Sequence, residues 1–263
     1  EPDRFASVQI VRPLTISMLT LYLYLLFCQR FPVPDQYNVC TFNCLYCECG
    51  WTLEKSLDEK YFYPLQTVLD AIEQKIKTCS QEGTPVDSIT FSGNGEPTLH
   101  PDFPAIIDRL LQLRDIYYPK AVITCLSNST KLGNPKVREA LKKIENPILK
   151  LDAVDEELFQ IVSGPTIELH ASEIIRWLSE MKQQFILQTL FFRGETEKGA
   201  FDNGTGDALQ KWLQFVEQVQ PKMVMIYSLD RETPAQKLFK YSKEELEAIA
   251  EKVKSLNINV NVY

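Results

Sequence analysis

The chain has 263 residues, 44% of them hydrophobic and 24% charged, which is enough to bury a full core and argues against wholesale disorder or a fibre. Twenty-eight basic against 35 acidic side chains leave a net charge of −7, so no overall positive field draws it onto nucleic acid, and a DNA partner is not expected. Seven scattered cysteines, an odd number, argue against a disulfide framework and for a reducing, cytoplasmic setting where thiolates stay free to bind metal.

Leu14 to Phe27 carries no charge and is bounded by Arg12 and Arg30. Its 14 residues fall short of the roughly 20 that a membrane-spanning helix needs, and no small-residue cleavage site follows, so no membrane association is expected. Thr15/Ser17 and Thr20/Tyr22/Tyr24 alternate with Leu, Ile and Met, with one slip at Met18-Leu19. This period of two predicts one or two buried strands in an N-terminal segment, residues 1–36, ahead of a core domain at 37–263.

Next comes Cys40-Thr-Phe-Asn-Cys44-Leu-Tyr-Cys47-Glu-Cys49-Gly, in which three thiols arrive with three and then two residues between them. That spacing wraps a short loop around one metal centre. Three thiolates on a [4Fe–4S] cube leave one iron without a protein ligand, open to a small molecule. Cys49 brings the local count to four thiols, so a structural zinc site is the alternative. Against it, a single residue between Cys47 and Cys49 is tight for two ligands of one tetrahedral ion, and no second C-x-x-C pair follows.

From Pro64 onward helices and strands alternate. Leu65, Val68, Leu69, Ile72 and Ile76 mark one face of a helix, and Val86 to Phe91 is a strand ending in Ser92-Gly93-Asn94-Gly95-Glu96-Pro97. Phe103 to Leu111 predicts the next helix and Ala121 to Leu126 the next strand, ending in Ser127-Asn128. A helix through Val137 and Ile144 follows, with Asn134 as its N-cap. Then come strand Ile148 to Leu151, helix Ile174 to Met181, strand Phe185 to Phe192, helix Leu209 to Val219, strand Met223 to Leu229, helix Leu246 to Val253 and a last strand near Ile258 to Val262. The alternation predicts an α/β fold with a parallel sheet and right-handed crossovers, an incomplete (β/α)6 TIM-like barrel. An open Rossmann-like sheet is the alternative, though Gly93-Asn-Gly95 lacks the third glycine of a dinucleotide fingerprint.

Polar residues gather at the C-terminal ends of these strands: Ser92/Asn94/Glu96, Ser127/Asn128, Lys150/Asp152, Gln188/Thr189 and Tyr227/Ser228/Asp230. In barrels that rim is the active-site face. Lys150 and Asp152, two apart on a strand, share a face and form either an ion pair or a catalytic couple. In the second case Lys150 anchors a substrate carboxylate or, with its pKa lowered by burial, forms a Schiff base. The only two histidines, His100 and His170, fall in loops, which argues against histidine-centred acid–base chemistry. Arg193 to Asp207 reads as a long polar loop on the same rim, a lid or a solvated surface loop.

Cys40, Cys44 and Cys47, with aromatic Tyr46 before the last, resemble the signature of the radical S-adenosylmethionine (radical SAM) family. The resemblance implies that these three cysteines hold a [4Fe–4S] cluster whose open iron chelates S-adenosylmethionine. One electron from the cluster then cleaves the sulfonium to a 5′-deoxyadenosyl radical. By the same resemblance the backbone around Tyr46 lies beside the adenine, and Ser92, Gly93, Asn94, Gly95 and Glu96 stand for the family's glycine-rich strand end that holds the cofactor's amino group. Asn94 interrupts the usual pair of glycines. Ser127, Asn128 and Gln188 are the further cofactor contacts that it implies.

Three stretches narrow the resemblance over residues 37–263: the cysteine loop, Phe-Ser-Gly-Asn-Gly-Glu-Pro-Thr, and Met-Ile-Tyr-Ser-Leu-Asp-Arg-Glu-Thr-Pro. They are similar to bacterial radical SAM proteins related to the wyosine-base-forming tRNA enzymes. Those enzymes join a pyruvate-derived fragment to a methylated guanosine and typically carry a further cluster site; this chain shows neither a second cysteine set nor a basic tract. The expectation is a single-cluster enzyme that takes hydrogen from an organic small molecule or a tRNA base, reduced by a flavodoxin or a reductase. The competing class is a non-catalytic cysteine–metal scaffold, with zinc or an iron–sulfur group.

Overall fold

The computed structural model describes residues 10–11, 20–24, 37–52, 62–92, 95–231 and 233–263. In chain order the first elements are β1 (Ile10–Val11), β2 (Thr20–Tyr24), β3 (Tyr37–Asn38), β4 (Trp51–Thr52), α1 (Leu65–Gln81), β5 (Ser88–Ser92), α2 (Phe103–Tyr117), β6 (Val122–Ser127) and α3 (Pro135–Lys142). After them come β7 (Asn146–Lys150), α4 (Glu156–Val162), α5 (Ala171–Met181), β8 (Ile186–Leu190), β9 (Phe192–Thr196), β10 (Gly199–Asp202), α6 (Gly206–Val219), β11 (Met223–Tyr227), β12 (Leu238–Lys240), α7 (Lys243–Lys254) and β13 (Val260–Val262).

The main sheet runs β1-β2-β5-β6-β7-β8-β11-β13. Only β1 pairs antiparallel; every junction from β2 to β13 is parallel. Six strand–helix units follow one another from β2/α1 to β11/α7, and β13 adds a seventh parallel strand. Among the described residues the two ends of the sheet do not pair, so the barrel is incomplete, as the alternation predicts. Of the apolar stretch Leu14–Phe27, β2 is a strand as expected, and the rest lies outside the described residues. No helix among the described residues is long and apolar enough to cross a membrane.

Strand periodicity sorts the sheet's two faces. Ile89, Phe91, Ile123, Cys125, Leu149, Leu187, Val224 and Ile226 are fully buried in the main core, and Phe91 meets Phe103 of α2 edge-on at 6.2 Å. The alternate positions form the concave face. There Ser88, Thr90, Thr124 and Asn146 hydrogen-bond in a chain at 3.2–3.4 Å, and Lys150, Gln188 and Tyr227 stand higher on the same face. The helix ends obey local rules: Asn134 caps α3 through the Lys136 amide at 3.0 Å, and Ser242 and Glu245 form a reciprocal capping box on α7.

The structure corrects two expectations. Phe185 to Phe192 is not one strand: it breaks at Phe191, after which the chain leaves the barrel as β9. Arg193 to Asp207 is not a loop, because β9 and β10 form a hairpin that β12 joins into a three-stranded antiparallel sheet. Its inward positions are Phe192, Gly194, Phe201 and Leu238, too few apolar residues to show a strand pattern. Asn203 pins the hairpin to the barrel, accepting from Phe192 N at 2.8 Å and donating to the carbonyls of Asp152 and Leu190 at 2.9 and 2.7 Å. Arg193 bridges Asp202 and Glu245 at 3.2 and 2.6 Å while its guanidinium lies over the Tyr241 ring, tying this sheet to α7.

Candidate functional site

The cysteine loop leaves β3 and returns in β4, which pair in parallel and close its base. Backbone contacts then lay it across the C-terminal ends of the barrel strands. On one side Val39 bridges Gly95, and its carbonyl accepts from Glu96 N at 2.9 Å. On the other, Asn43 N donates to Gly164 O at 2.9 Å, Leu45 N to Val162 O at 3.2 Å, and Thr41 O accepts from Thr166 N at 2.9 Å. Both clamps end on a glycine with positive φ, Gly95 at 136° and Gly164 at 51°. A side chain at Gly95 would place its Cβ 2.0 Å from Val39 O, and one at Gly164 would place it 2.8 Å from Asn43 O. Only glycine allows these approaches. Inside the loop, Cys47 N bonds Cys44 O at 3.1 Å, Gly50 N bonds Cys47 O at 3.0 Å, and the Asn43 side chain accepts from Thr52 N at 2.7 Å.

Beneath Cys40 lies a buried polar network. Glu96, 2% exposed, accepts from Thr98 N at 3.0 Å, the Thr98 hydroxyl, the Ser127 hydroxyl at 2.9 Å and Asn128 N at 2.6 Å. Burial nonetheless pushes its carboxyl above the usual range. Asn128 Nδ2 donates to Cys40 Sγ at 3.3 Å and to Thr41 Oγ1 at 3.0 Å. The Thr41 hydroxyl also meets that of Thr130 at 2.8 Å.

Beneath Tyr46 lies a second group. The Tyr46 hydroxyl donates to Asp152, whose other oxygen accepts from Leu190 N at 2.8 Å and faces Lys150 Nζ at 3.1 Å. Lys150 also donates to the Tyr227 hydroxyl at 2.5 Å, with its ammonium 4.9 and 4.6 Å from the ring centres of Tyr46 and Tyr227. Burial alone pulls the lysine down, as expected from the sequence, but Asp152 and Tyr227 outweigh it and hold the ammonium above an ordinary lysine. Burial, then Asp152, raises the Tyr46 phenol.

The thiols divide. Burial, with Glu96 next, pushes Cys40 up to about 12, and burial, with Cys40 next, raises Cys44 well above an ordinary thiol. Cys47 goes the other way, to about 7, chiefly because the Cys49 thiol hydrogen-bonds to it; that bond raises Cys49 in turn. Among the described residues no three Cys, His, Asp or Glu side chains gather where one metal ion would fit. The donor chemistry does suit an iron–sulfur group: three thiols on one clamped loop, one of them already receiving an amide N–H.

Of the residues singled out in the sequence, Cys40, Glu96, Ser127 and Asn128 come together in the first network, and Tyr46, Lys150 and Asp152 in the second. Gly95 serves the loop's clamp. Gly93 and Asn94 lie outside the described residues. Ser92 ends β5, and Gln188 stands half-buried between Lys150 and Met225 in register. Thr189 points to the helices instead, donating to Leu151 O at 2.8 Å and accepting from Trp212 Nε1 at 3.1 Å. Residues that sequence reasoning passed over are Gly164, Thr41 and Thr130, which carry no local signal, and the direct contact of Tyr227 with Lys150.

The fold and site together define an α/β protein with an incomplete (β/α)6 barrel and a three-cysteine loop clamped across its C-terminal rim. Residues 36–200 match the model of the Radical SAM superfamily, more than half of the chain. The chain belongs to the radical SAM superfamily. A UPF0026 protein of Helicobacter pylori is 30% identical over 79% of this chain and 63% of its own length. Three curated relatives are spanned by this chain over 31%, 61% and 63% of their length. Among solved structures, a radical SAM methyltransferase from Sphaerobacter thermophilus superposes with TM-score 0.64 at 12% identity, over 94% of this chain and 66% of that one. TYW1 with a lysine–pyruvate adduct bound superposes with TM-score 0.56 at 15% identity, over 90% and 73%. At these identities the likeness is one of fold.

Proposed function

We propose that this chain is a radical SAM enzyme in which Cys40, Cys44 and Cys47 hold one [4Fe–4S] cluster and the rim beside them binds S-adenosylmethionine. The observation that carries this is the clamped cysteine loop over the strand ends, with Asn128 Nδ2 at 3.3 Å from Cys40 Sγ. Such a cluster, reduced by a flavodoxin or reductase in a reducing cytoplasm, supplies the electron that cleaves the sulfonium to a 5′-deoxyadenosyl radical. The concave face beside the loop would hold the organic substrate from which that chemistry takes hydrogen.

The chain's own residues prepare that face. Tyr46 docks the loop onto Asp152, just past the end of β7, through its hydroxyl. Lys150, Asp152 and Tyr227 present a connected polar triad in which the lysine is held protonated. In this state Lys150 offers charge and hydrogen bonds to a substrate carboxylate, not a free amine for a Schiff base. Borohydride trapping with a keto acid checks this, because a mass increase on Lys150 would contradict it. The cluster assignment is tested by Cys44→Ala, which abolishes both cluster and reductive cleavage; retained cleavage would refute it.

A tRNA base is a second substrate reading, supported by the wyosine-type stretches and by the fold likeness to TYW1. Retention of tRNA at low salt tests it, and no retention counts against it. Zinc without iron or sulfide in the purified protein would favour a non-catalytic scaffold instead.

A further inference from the structure

Asn128 has a further use that is separate from the cofactor contact implied by the resemblance. Its Oδ1 accepts from Thr130 N at 3.0 Å and from the Thr130 hydroxyl at 2.8 Å. Two donors on that side fix which end of the amide is oxygen, so the NH2 group faces the cysteine loop. Its two hydrogens go to Cys40 Sγ at 3.3 Å and Thr41 Oγ1 at 3.0 Å. The residue is held from behind as well, because its backbone N–H is bound by buried Glu96 at 2.6 Å. A side chain anchored at three points and aimed at a ligand sulfur does more than fill space.

We propose that Asn128 is a positioning residue for the metal centre: its N–H···S bond fixes Cys40 and raises the reduction potential of the cluster. This rests on the reading of Cys40, Cys44 and Cys47 as cluster ligands. The added electron puts more negative charge on the cluster and its sulfurs, so a hydrogen bond to sulfur strengthens on reduction. Removing the donor therefore favours the oxidised form. Ser242, whose hydroxyl caps α7 and belongs to neither network, provides a control.

The test is an EPR-monitored redox titration of the reconstituted cluster in the unaltered chain, Asn128→Leu, Asn128→Asp and Ser242→Ala. The expected result is a lower potential in Asn128→Leu, by about tenfold in the reduced-to-oxidised ratio, which is about 59 mV for one electron. Asn128→Asp falls further, because a carboxylate beside the sulfur opposes the added charge, and Ser242→Ala stays at the unaltered value. A merely structural role would lower cluster content and leave the potential alone. Should the Asn128 variants fail to load, pulsed EPR of the unaltered chain with isotopically labelled asparagine decides: a side-chain nitrogen coupled to the reduced cluster supports the proposal, and its absence overturns it. A potential that Asn128→Leu leaves unmoved, or that Ser242→Ala moves equally, overturns the role of Asn128 alone. No cluster in the unaltered chain overturns the reading of the site with it.

Discussion

Replacing Gly95 by alanine tests whether the cysteine loop depends on its backbone clamp. At φ 136° an alanine pays backbone strain of about 1–3 kcal/mol. Its Cβ would also sit 2.0 Å from Val39 O, so the two backbones must part by about 1 Å or more, since real Cβ contacts are essentially never under 3.0 Å. That separation breaks the 2.9 Å bond from Glu96 N to Val39 O, a further loss of about 0.5–1.5 kcal/mol. The sum, about 1.5–4.5 kcal/mol, falls on the residue next to Cys40 and corresponds to a drop in melting temperature of roughly 3–8 °C. Gly83→Ala is the matched control: φ is also positive, at 67°, but nothing lies within 4 Å of the added Cβ. Iron and sulfide per chain after anaerobic reconstitution, read beside a thermal melt, separate the two. Gly95→Ala is expected to keep its fold and lose most of its iron, whereas Gly83→Ala costs about 1 kcal/mol and loads normally. Normal loading of Gly95→Ala, or equal loss in Gly83→Ala, would refute the reasoning.

Other consequences are open to direct measurement. In the metal-free protein Cys47 is expected to alkylate first, with a rate that rises with pH through a midpoint near 7 as the thiolate forms, while Cys40 and Cys44 stay slow. Peptide mapping after iodoacetamide checks this, and Cys49→Ala, which removes the donor, should move the midpoint upward; no movement would deny the thiol–thiol bond its role. Asp152→Asn leaves the Lys150 ammonium mostly buried without its carboxylate and is expected to cost on the order of 3 kcal/mol. Adding Lys150→Met should recover most of that loss in denaturant unfolding, and additive losses would show that the pair is not coupled.

Much of this site was legible in the sequence because its signals are local. The spacing of Cys40, Cys44 and Cys47 needs no tertiary information, and the alternation of helix and strand sends Glu96, Asn128, Lys150 and Asp152 to one rim. What was hidden depends on partners distant in sequence. Tyr46 finds Asp152 across 106 residues, and Lys150 finds Tyr227 across 77. Tyr227 adds to Asp152, two residues along the chain, in raising the lysine against the pull of burial. Gly164 gives no hint from its own neighbours that it must pass against Asn43. The β9–β10–β12 sheet escaped notice because its inward face is short and broken by Gly194, so period-two alternation never extends far enough to register.

The most direct test of the central reading is anaerobic reconstitution with iron and sulfide, followed by dithionite and S-adenosylmethionine, with 5′-deoxyadenosine as the readout. A cluster that forms and yields 5′-deoxyadenosine, both lost in Cys44→Ala, is the predicted result. Failure of the unaltered chain to take up iron and sulfide, or a cluster that releases none of the nucleoside, would contradict it.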